Sequence, residues 1–346
     1  MCFAATLQFV TRVRCPCSNG TYDIHRTRSC CMDIGRFTFT CCFESEAVLP
    51  VFKGSTLRGG LGHALKRATC ALRQQECRSC LLRESCAYGF FFEQKGVSPS
   101  SSGATGPASR RPPPYILIPP DDTHRHYRAE DQFVFDVLLL GHALNYLPHL
   151  VVAVTEMGTG GIGKGSRQGE GRFRLDSVRQ DGEVIYHGDT LNGSLAPRQL
   201  HLERPPEGTI GTLALLCCTP LRLKQDNHLQ AELPFHRLIR AALRRISSLE
   251  AAYGNSGEPS LDYRGLVARA KNVHISSSTC RWQEIERYSN RQKSTMLMGG
   301  ITGRVTYQGD DLSEFVPLLR YCETVHLGKQ TSFGLGRITL QIGDEQ

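Results

Sequence analysis

The chain has 346 residues, 40% hydrophobic and 21% charged, enough for one large core or two ordinary ones and unlike a disordered protein. No uncharged apolar run is long enough to span a membrane: the best stretch, Phe133 to Met157, is broken by Asp136, His142, Asn145, Pro148 and His149. Forty-one basic against 33 acidic residues leave a formal charge of +8, compatible with a polyanionic partner, and the weakly apolar start lacks the flank and cleavage signal of a leader, so a cytoplasmic protein is expected.

Residues 1–31 hold five of the fifteen cysteines (Cys2, Cys15, Cys17, Cys30 and Cys31) and show neither helical nor strand periodicity. They are expected to be a mis-called start, with Met32 the initiator, or a disordered arm. They carry Arg12, Arg14, Arg26 and Arg28 against Asp23, so the chain without them would keep +5. From Arg36 to Glu44, Phe37, Phe39, Cys41 and Phe43 alternate with Thr38, Thr40 and Cys42, the pattern of a half-buried strand. A helix to Thr69 follows, capped by Ser55 or Thr56, with Leu57, Leu61, Ala64, Leu65 and Ala68 on one stripe. Lys95 to Pro114 is rich in Ser, Gly and Pro and reads as a flexible linker.

Beyond the linker, a strand (Gln132 to Leu140), a helix (Asn145 to Glu156), a Gly-rich loop (Gly158 to Gly171) and a strand (Arg172 to Val178) are predicted. The same order returns near the end: strand Ile301 to Tyr307, helix Ser313 to Cys322, Gly-rich loop Gly328 to Gly336, strand Arg337 to Ile342. Thr212 to Leu223 and Pro234 to Tyr253 supply the strand and helix that open the second half. Strand, helix, two strands, helix, strand is the ferredoxin-like order, also that of RRM domains. The predicted fold class is α+β: two tandem ferredoxin-like domains, 32–200 and 201–346, with a cysteine-rich metal knuckle (70–86) and the flexible linker (95–114) inserted in the first.

Cys70, Cys77, Cys80 and Cys86 follow a C-x6-C-x2-C-x5-C spacing that could close a tetrahedral site, so a structural zinc is expected, with an iron–sulfur cluster or plain thiols as alternatives. Four protein ligands would leave no position for a reactive water, which argues against a zinc hydrolase. Cys41/Cys42 and Cys217/Cys218 lie on strands and read as small core and surface fillers. In the terminal loop, Gly328, Gly334 and Gly336 allow backbone that a Cβ would forbid, and exposed amides there, with Lys329 and Arg337, could cradle phosphates. The dinucleotide fingerprint fails, because the loop leads from helix to strand.

The segments LPVFKGSTLRGGLGHALKR (Leu49 to Arg67), MGTGGIGKG, RYSNRQ (Arg287 to Gln292) and HLGKQTSFGLG together resemble a CRISPR precursor-RNA processing endoribonuclease of the RAMP superfamily, over about Met32 to the end. The family's terminal loop commonly reads G-x-G-x5-G-x-G; here His326 stands where the first glycine is usual. The resemblance implies two ferredoxin-like domains and metal-independent cleavage of CRISPR repeat RNA. In that reaction the upstream 2′-hydroxyl attacks, leaving a 2′,3′-cyclic phosphate and a 5′-hydroxyl. Such a reaction needs a proton acceptor, a proton donor and cations for the phosphorane. The expected partners are repeat RNA, mature guide RNA and a CRISPR effector complex. A non-catalytic RAMP subunit that holds guide RNA is the alternative.

His63 is the leading catalytic candidate: a rotation of 100° per residue puts it about 150° from the apolar stripe, on the outer face of its helix. Gly59 lies one turn before it and Lys66 and Arg67 three and four residues after. His326 is the second candidate; Lys66, Tyr288 and Lys329 are candidate acid–base partners. RNA contacts are expected from Arg58 and Arg67, from Lys164, Arg167 and Arg172 in the first Gly-rich loop, from Arg237, Arg240 and Arg244 on one helix face, from Arg287 and Arg291 beside the stacking ring of Tyr288, and from Gly328, Lys329, Gly334, Gly336 and Arg337.

Overall fold

A computed structural model describes residues 31–94, 111–188, 190–191, 195–223, 232–289 and 294–343. The strand that opens it, β1 (Cys31–Phe43), is followed by the two-residue β2 (Ala47–Val48), α1 (Gly54–Thr69) and the short α2 (Ala87–Phe92). β3 (Tyr115–Ile118), β4 (His126–Tyr127), β5 (Gln132–Leu140), α3 (Leu147–Gly160) and β6 (Phe173–Gln180) complete the first unit, and β7 (Glu183–His187), β8 (Thr190–Leu191) and β9 (Arg198–His201) extend its sheet. All the pairings are antiparallel, in the order β3-β5-β1-β6. Register sets Phe39 opposite Phe135, with the rings stacked at 5.3 Å. Phe37, Phe39, Cys41 and Phe43 are buried in one core with Leu57, Leu61 and Leu65 of α1 and Leu150 and Val154 of α3.

The second half repeats the plan. β10 (Thr212–Leu221) leads to α4 (Phe235–Tyr253) and α5 (Tyr263–Arg269), then to the edge strands β11 (His274–Ser278) and β12 (Arg281–Gln283). A ribbon of β13 (Glu286–Ser289) and β14 (Ser294–Leu297) precedes β15 (Gly300–Gln308), α6 (Val316–Val325) and β16 (Ile338–Ile342). The sheet order β11-β15-β10-β16 is that of the first half. These are two mixed α/β sheet domains consistent with tandem ferredoxin-like folds.

The first half keeps a core of its own, and the other face of its sheet helps to complete that of the second half. Met32 and Ile34 of β1, Ile116 of β3, and Leu138 and Leu140 of β5 lie in one buried cluster with Leu238, Ile246 and Leu249 of α4. Each such side chain contributes about 1.5–3 kcal/mol on burial. Gly141 marks a close approach: at φ 55° it sits so near α4 that a Cβ would lie 2.6 Å from the Tyr253 carbonyl oxygen. Arg111, at the end of the predicted linker, stacks 4.7 Å from the Tyr253 ring, whose hydroxyl donates to the Pro112 carbonyl.

Several boundaries shift for local reasons. Ser55 and Thr56 fall inside α1, whose N-cap is Lys53 and has no side-chain cap; the buried Lys53 ammonium instead bonds Asp122 at 2.8 Å. Ala68 is exposed. The helices predicted from Asn145 and Ser313 begin as 3-10 turns (Gly141–Tyr146 and Ser313–Phe315) and become α-helical near Pro148 and Pro317, where a missing N–H costs nothing. Residues 1–30 of the predicted extension and 95–110 of the predicted linker lie outside the described residues. Among the described residues no helix is long and apolar enough to cross a membrane.

The expected zinc knuckle is corrected. Cys70, Cys77, Cys80 and Cys86 are free, half-buried thiols, and among the described residues no group of three or more His, Cys, Asp or Glu could hold a metal ion. A spacing fixes only how far apart ligands are along the chain. Here backbone turns (Gln75 to Leu72, Ser79 to Glu76, Arg83 to Cys80) and Arg83, whose guanidinium donates to the Arg78 and Glu93 carbonyls, organise the segment without convergence of its thiols. Cys41, Cys42 and Cys217 are buried and Cys218 half-buried.

Candidate active site

The first turn of α1 abuts the terminal Gly-rich loop so tightly that a Cβ on Gly54 would lie 1.9 Å from the Phe333 carbonyl oxygen. From the next turn Arg58 reaches into that contact. Its Nε donates to Ser332 Oγ at 3.2 Å, and its guanidinium lies 4.5 Å from the Phe333 ring centroid and 5.2 Å from that of Phe92. Arg287, on β13, approaches the same Phe333 ring at 4.9 Å. Three segments far apart in the chain thus place two guanidinium groups on one ring. Such contacts contribute about 0.5–2 kcal/mol each.

Neither cation has a carboxylate partner among the described residues. Among the described residues Arg287 Nη2 donates to the Met296 sulfur at 3.2 Å and the buried Nε has no partner. Desolvation, and then the nearby charge of Arg58, push the Arg287 pKa down. Planar donors turned together without a carboxylate to neutralise them suit an anionic oxygen.

His63 lies one turn further along α1, exposed. Space beside it is open, because a Cβ on Gly59 would meet nothing within 4 Å. The cations expected to flank it are engaged elsewhere. Lys66 Nζ stands 5.4 Å over the Tyr88 ring, and Arg67 pairs with Glu156 at 3.2 Å and donates to its carbonyl at 2.6 Å. His63 itself has no hydrogen-bond partner among the described residues.

The terminal loop is not an open cradle. Thr331 to Gly336 are buried, and the amides of Leu327, Lys329, Phe333, Gly334 and Gly336 donate to the carbonyls of Gly336, Arg222, Gln330, Thr331 and Pro220. Its glycines serve close packing: a Cβ on Gly336 would lie 1.8 Å from the Leu327 carbonyl oxygen. Lys329 alone among its charged residues is well exposed, since Arg337 pairs with Asp121. His326 is 2% exposed, with Nδ1 donating to the Leu335 carbonyl at 3.3 Å, and burial holds its pKa down at about 3. Its φ of 53° and ψ of 157° belong to backbone that glycine takes freely, which is why a glycine fits there.

Comparisons with known proteins now bear on this arrangement. Residues 215–338 match the family model of the CRISPR-associated endoribonuclease Cas6, and residues 32–200 match a model described as an N-terminal domain. No curated protein matches. Among solved structures, a chain of a partial Cas6-RT-Cas1–Cas2 complex is 12% identical with a TM-score of 0.51, covering 91% of this chain and 47% of that one. A chain of a Cas6-RT-Cas1–Cas2 complex has the same identity, TM-score and coverage of this chain, over 29% of its own length. The protein's fold is similar to that of these Cas6-containing chains, and its residues 215–338 carry the Cas6 family's pattern. The chain spans less than half the length of those two solved chains, and at such identities the likeness is one of fold. A Cas6 of Thermus thermophilus is 13% identical, covering 90% of this chain and 99% of its own, with a TM-score of 0.47.

In this Cas6-like fold the remaining predicted contacts are scattered. Lys164, Arg167 and Arg172 are exposed on the first Gly-rich loop, which is pinned to β2 by the Lys164 amide on the Val48 carbonyl. Arg237, Arg240 and Arg244 are exposed on α4. Tyr288 lies on β13 opposite Thr295, and Arg291 falls outside the described residues. A cavity of about 400 Å³ between the halves, beside Gly334, is bordered by Asp121, Asp122, Glu284 and Glu286 against the single cation Arg337, which Asp121 already pairs, a net acidic lining ill suited to a phosphate. Sequence reasoning missed Arg245. It is buried on α4 and donates to the Val325 carbonyl at 2.7 Å and the His326 carbonyl at 3.2 Å, capping α6 where the terminal loop begins. A signal existed, since Arg245 sits seven residues after Leu238 and four before Leu249 on the apolar stripe.

Proposed function

We propose that the protein is a metal-independent endoribonuclease that cuts CRISPR repeat RNA in the precursor transcript and so produces mature guide RNA. The observation that carries the reading is the meeting of Arg58 and Arg287 at Phe333 with no carboxylate partner among the described residues, Arg58 lying on the same helix as the exposed His63. His63 exchanges a proton with the 2′-hydroxyl or the leaving 5′-oxygen, a contribution worth roughly 10²–10⁴-fold. Arg58 and Arg287 bind the scissile phosphate and take up the charge of the phosphorane. The bond from phosphorus to the 5′-oxygen breaks as the 2′-oxygen attacks, leaving a 2′,3′-cyclic phosphate and a 5′-hydroxyl. His326, enclosed beneath the loop, has no part in this scheme.

The same reading takes 32–200 and 201–346 as the two domains, preceded by an extension at 1–31, in a cytoplasmic protein that hands its product to a CRISPR effector complex. The test is cleavage of a cognate repeat RNA in excess EDTA by the wild type and by His63→Ala, and of an RNA with a 2′-deoxy sugar upstream of the cut, with binding measured in parallel. Both alterations are expected to lower cutting at least 100-fold while binding holds within about twofold. Binding without cutting by the wild type would overturn the reading in favour of a non-catalytic RAMP subunit.

A further inference from the structure

A second cationic feature lies on the helical side of the second half. α4 and α5, with the turn Ala270–Asn272, enclose a groove of about 590 Å³. Arg240 and Arg244 border it from α4, Arg264 and Lys271 from the other side, and all four are exposed. None of the four has a carboxylate partner among the described residues. The contrast with Arg269 is direct: on the same short helix as Arg264, it is held by Asp262 at 3.3 Å and by Glu314 at 2.7 Å. The acidic residue at the groove, Glu258, accepts a hydrogen bond from Ser247 Oγ at 3.0 Å. His236, one turn before Arg240, registers the accumulated charge: after burial, Arg237, Arg240 and Lys271 push its pKa down.

The groove is separate from the candidate active site. Arg245, the neighbour of Arg244, turns into the core to cap α6 where the terminal loop starts, so α4 stands between the groove and that loop. A protein partner would need apolar anchors. None of the exposed large apolar side chains, which include Leu81, Val152 and Leu297, borders the groove. What the groove offers is cations: Arg240 and Arg244, about 6 Å apart along the axis of α4, with Arg264 and Lys271 on the other side, the arginines presenting guanidinium forks that match phosphate oxygens.

We propose that this groove is a second RNA track, which holds the phosphodiester backbone of the strand continuing away from the cut. The proposal rests on the reading of the protein as RNA-binding, and its test reads binding, so that failure to cut and failure of the groove are distinguishable. Arg240→Glu/Arg244→Glu and Arg264→Glu/Lys271→Glu variants would be titrated with a short RNA that spans only the cut, and with RNAs extended at the 5′ or the 3′ end, over a range of salt. One extended RNA is expected to lose at least tenfold in affinity at physiological salt, with the slope of log K against log salt shallower by about 0.7 for each phosphate that the variant no longer neutralises.

The short RNA should bind within twofold of wild type and be cut at the same rate, which also certifies that the variants are folded. Arg240→Gln/Arg244→Gln should move the extended RNA in the same direction by less. Unchanged affinity for every RNA, an equal loss for short and extended RNAs, or lost capture of polyglutamate with RNA binding intact would each overturn the proposal. A wild type that binds the extended RNA without cutting it would remove the nuclease reading and leave the groove standing.

Discussion

The sheet of the first half and the contact between α1 and the terminal loop are both rich in arginine, and they treat it oppositely. On the sheet, Arg36 pairs with Asp136, Arg174 with Glu130 and Asp176, and Arg198 with Asp181. At the loop, Arg58 and Arg287 share a phenylalanine ring and find no carboxylate among the described residues. A net charge of +8 therefore says little about where an anion binds. What matters is where cations are brought together and left uncompensated, and that is decided by long-range packing.

The comparison breaks most sharply if the unpaired cations prove dispensable. Arg58→Ala combined with Arg287→Ala is expected to slow cleavage at saturating RNA by roughly 10²–10³-fold, whereas Arg36→Ala with Arg174→Ala should leave it within about twofold; single-turnover kinetics would read both. Next in size is Arg245, a buried cation that is neither exposed nor free. Arg245→Ala leaves the Val325 and His326 carbonyls without their donor, and a loss of about 3 kcal/mol is expected in urea unfolding.

His326 sharpens the contrast by pH. Its folded-state pKa is held down at about 3 by burial, below the roughly 6.5 of an unfolded chain, so the unfolded state takes up the proton first as acid is added. This contribution to stability is complete above about pH 6.5 and falls as pH drops toward 3, by at most about 1.4 kcal/mol per unit. His326→Gln should flatten that part of the profile in thermal unfolding measured from pH 7 to pH 4. The smallest effect is predicted for Arg36→Ala, whose partly exposed ion pair is expected to be worth under about 1 kcal/mol.

Much of the fold was legible. Alternation in Gln132 to Leu140 and the apolar stripe of α4 fix those elements nearly to the residue, and recurrence of one order of elements gives two like halves. β3 was not foreseen, because its four residues follow a Pro-rich run and are too few to show a period. The site was legible in part. Helical phase puts His63 on the outer face of its helix, and the structure has it exposed. Phase could not tell that Lys66 and Arg67 would be drawn off to Tyr88 and Glu156, because those partners arrive from other elements. Spacing misled at Cys70 to Cys86, where local turns decide whether ligands converge.

The core that Met32, Ile34, Leu138 and Leu140 share with α4 has a further consequence. The second half's interior is closed in part by the first half's sheet, so α1 and the terminal loop are jaws of a single casting. The molecule should melt in one calorimetric transition, and either half expressed alone should aggregate through the oily face it has lost the means to cover. On the function proposed above, the RNA strand does the adapting, and the frame would select substrates by how readily they bend to it.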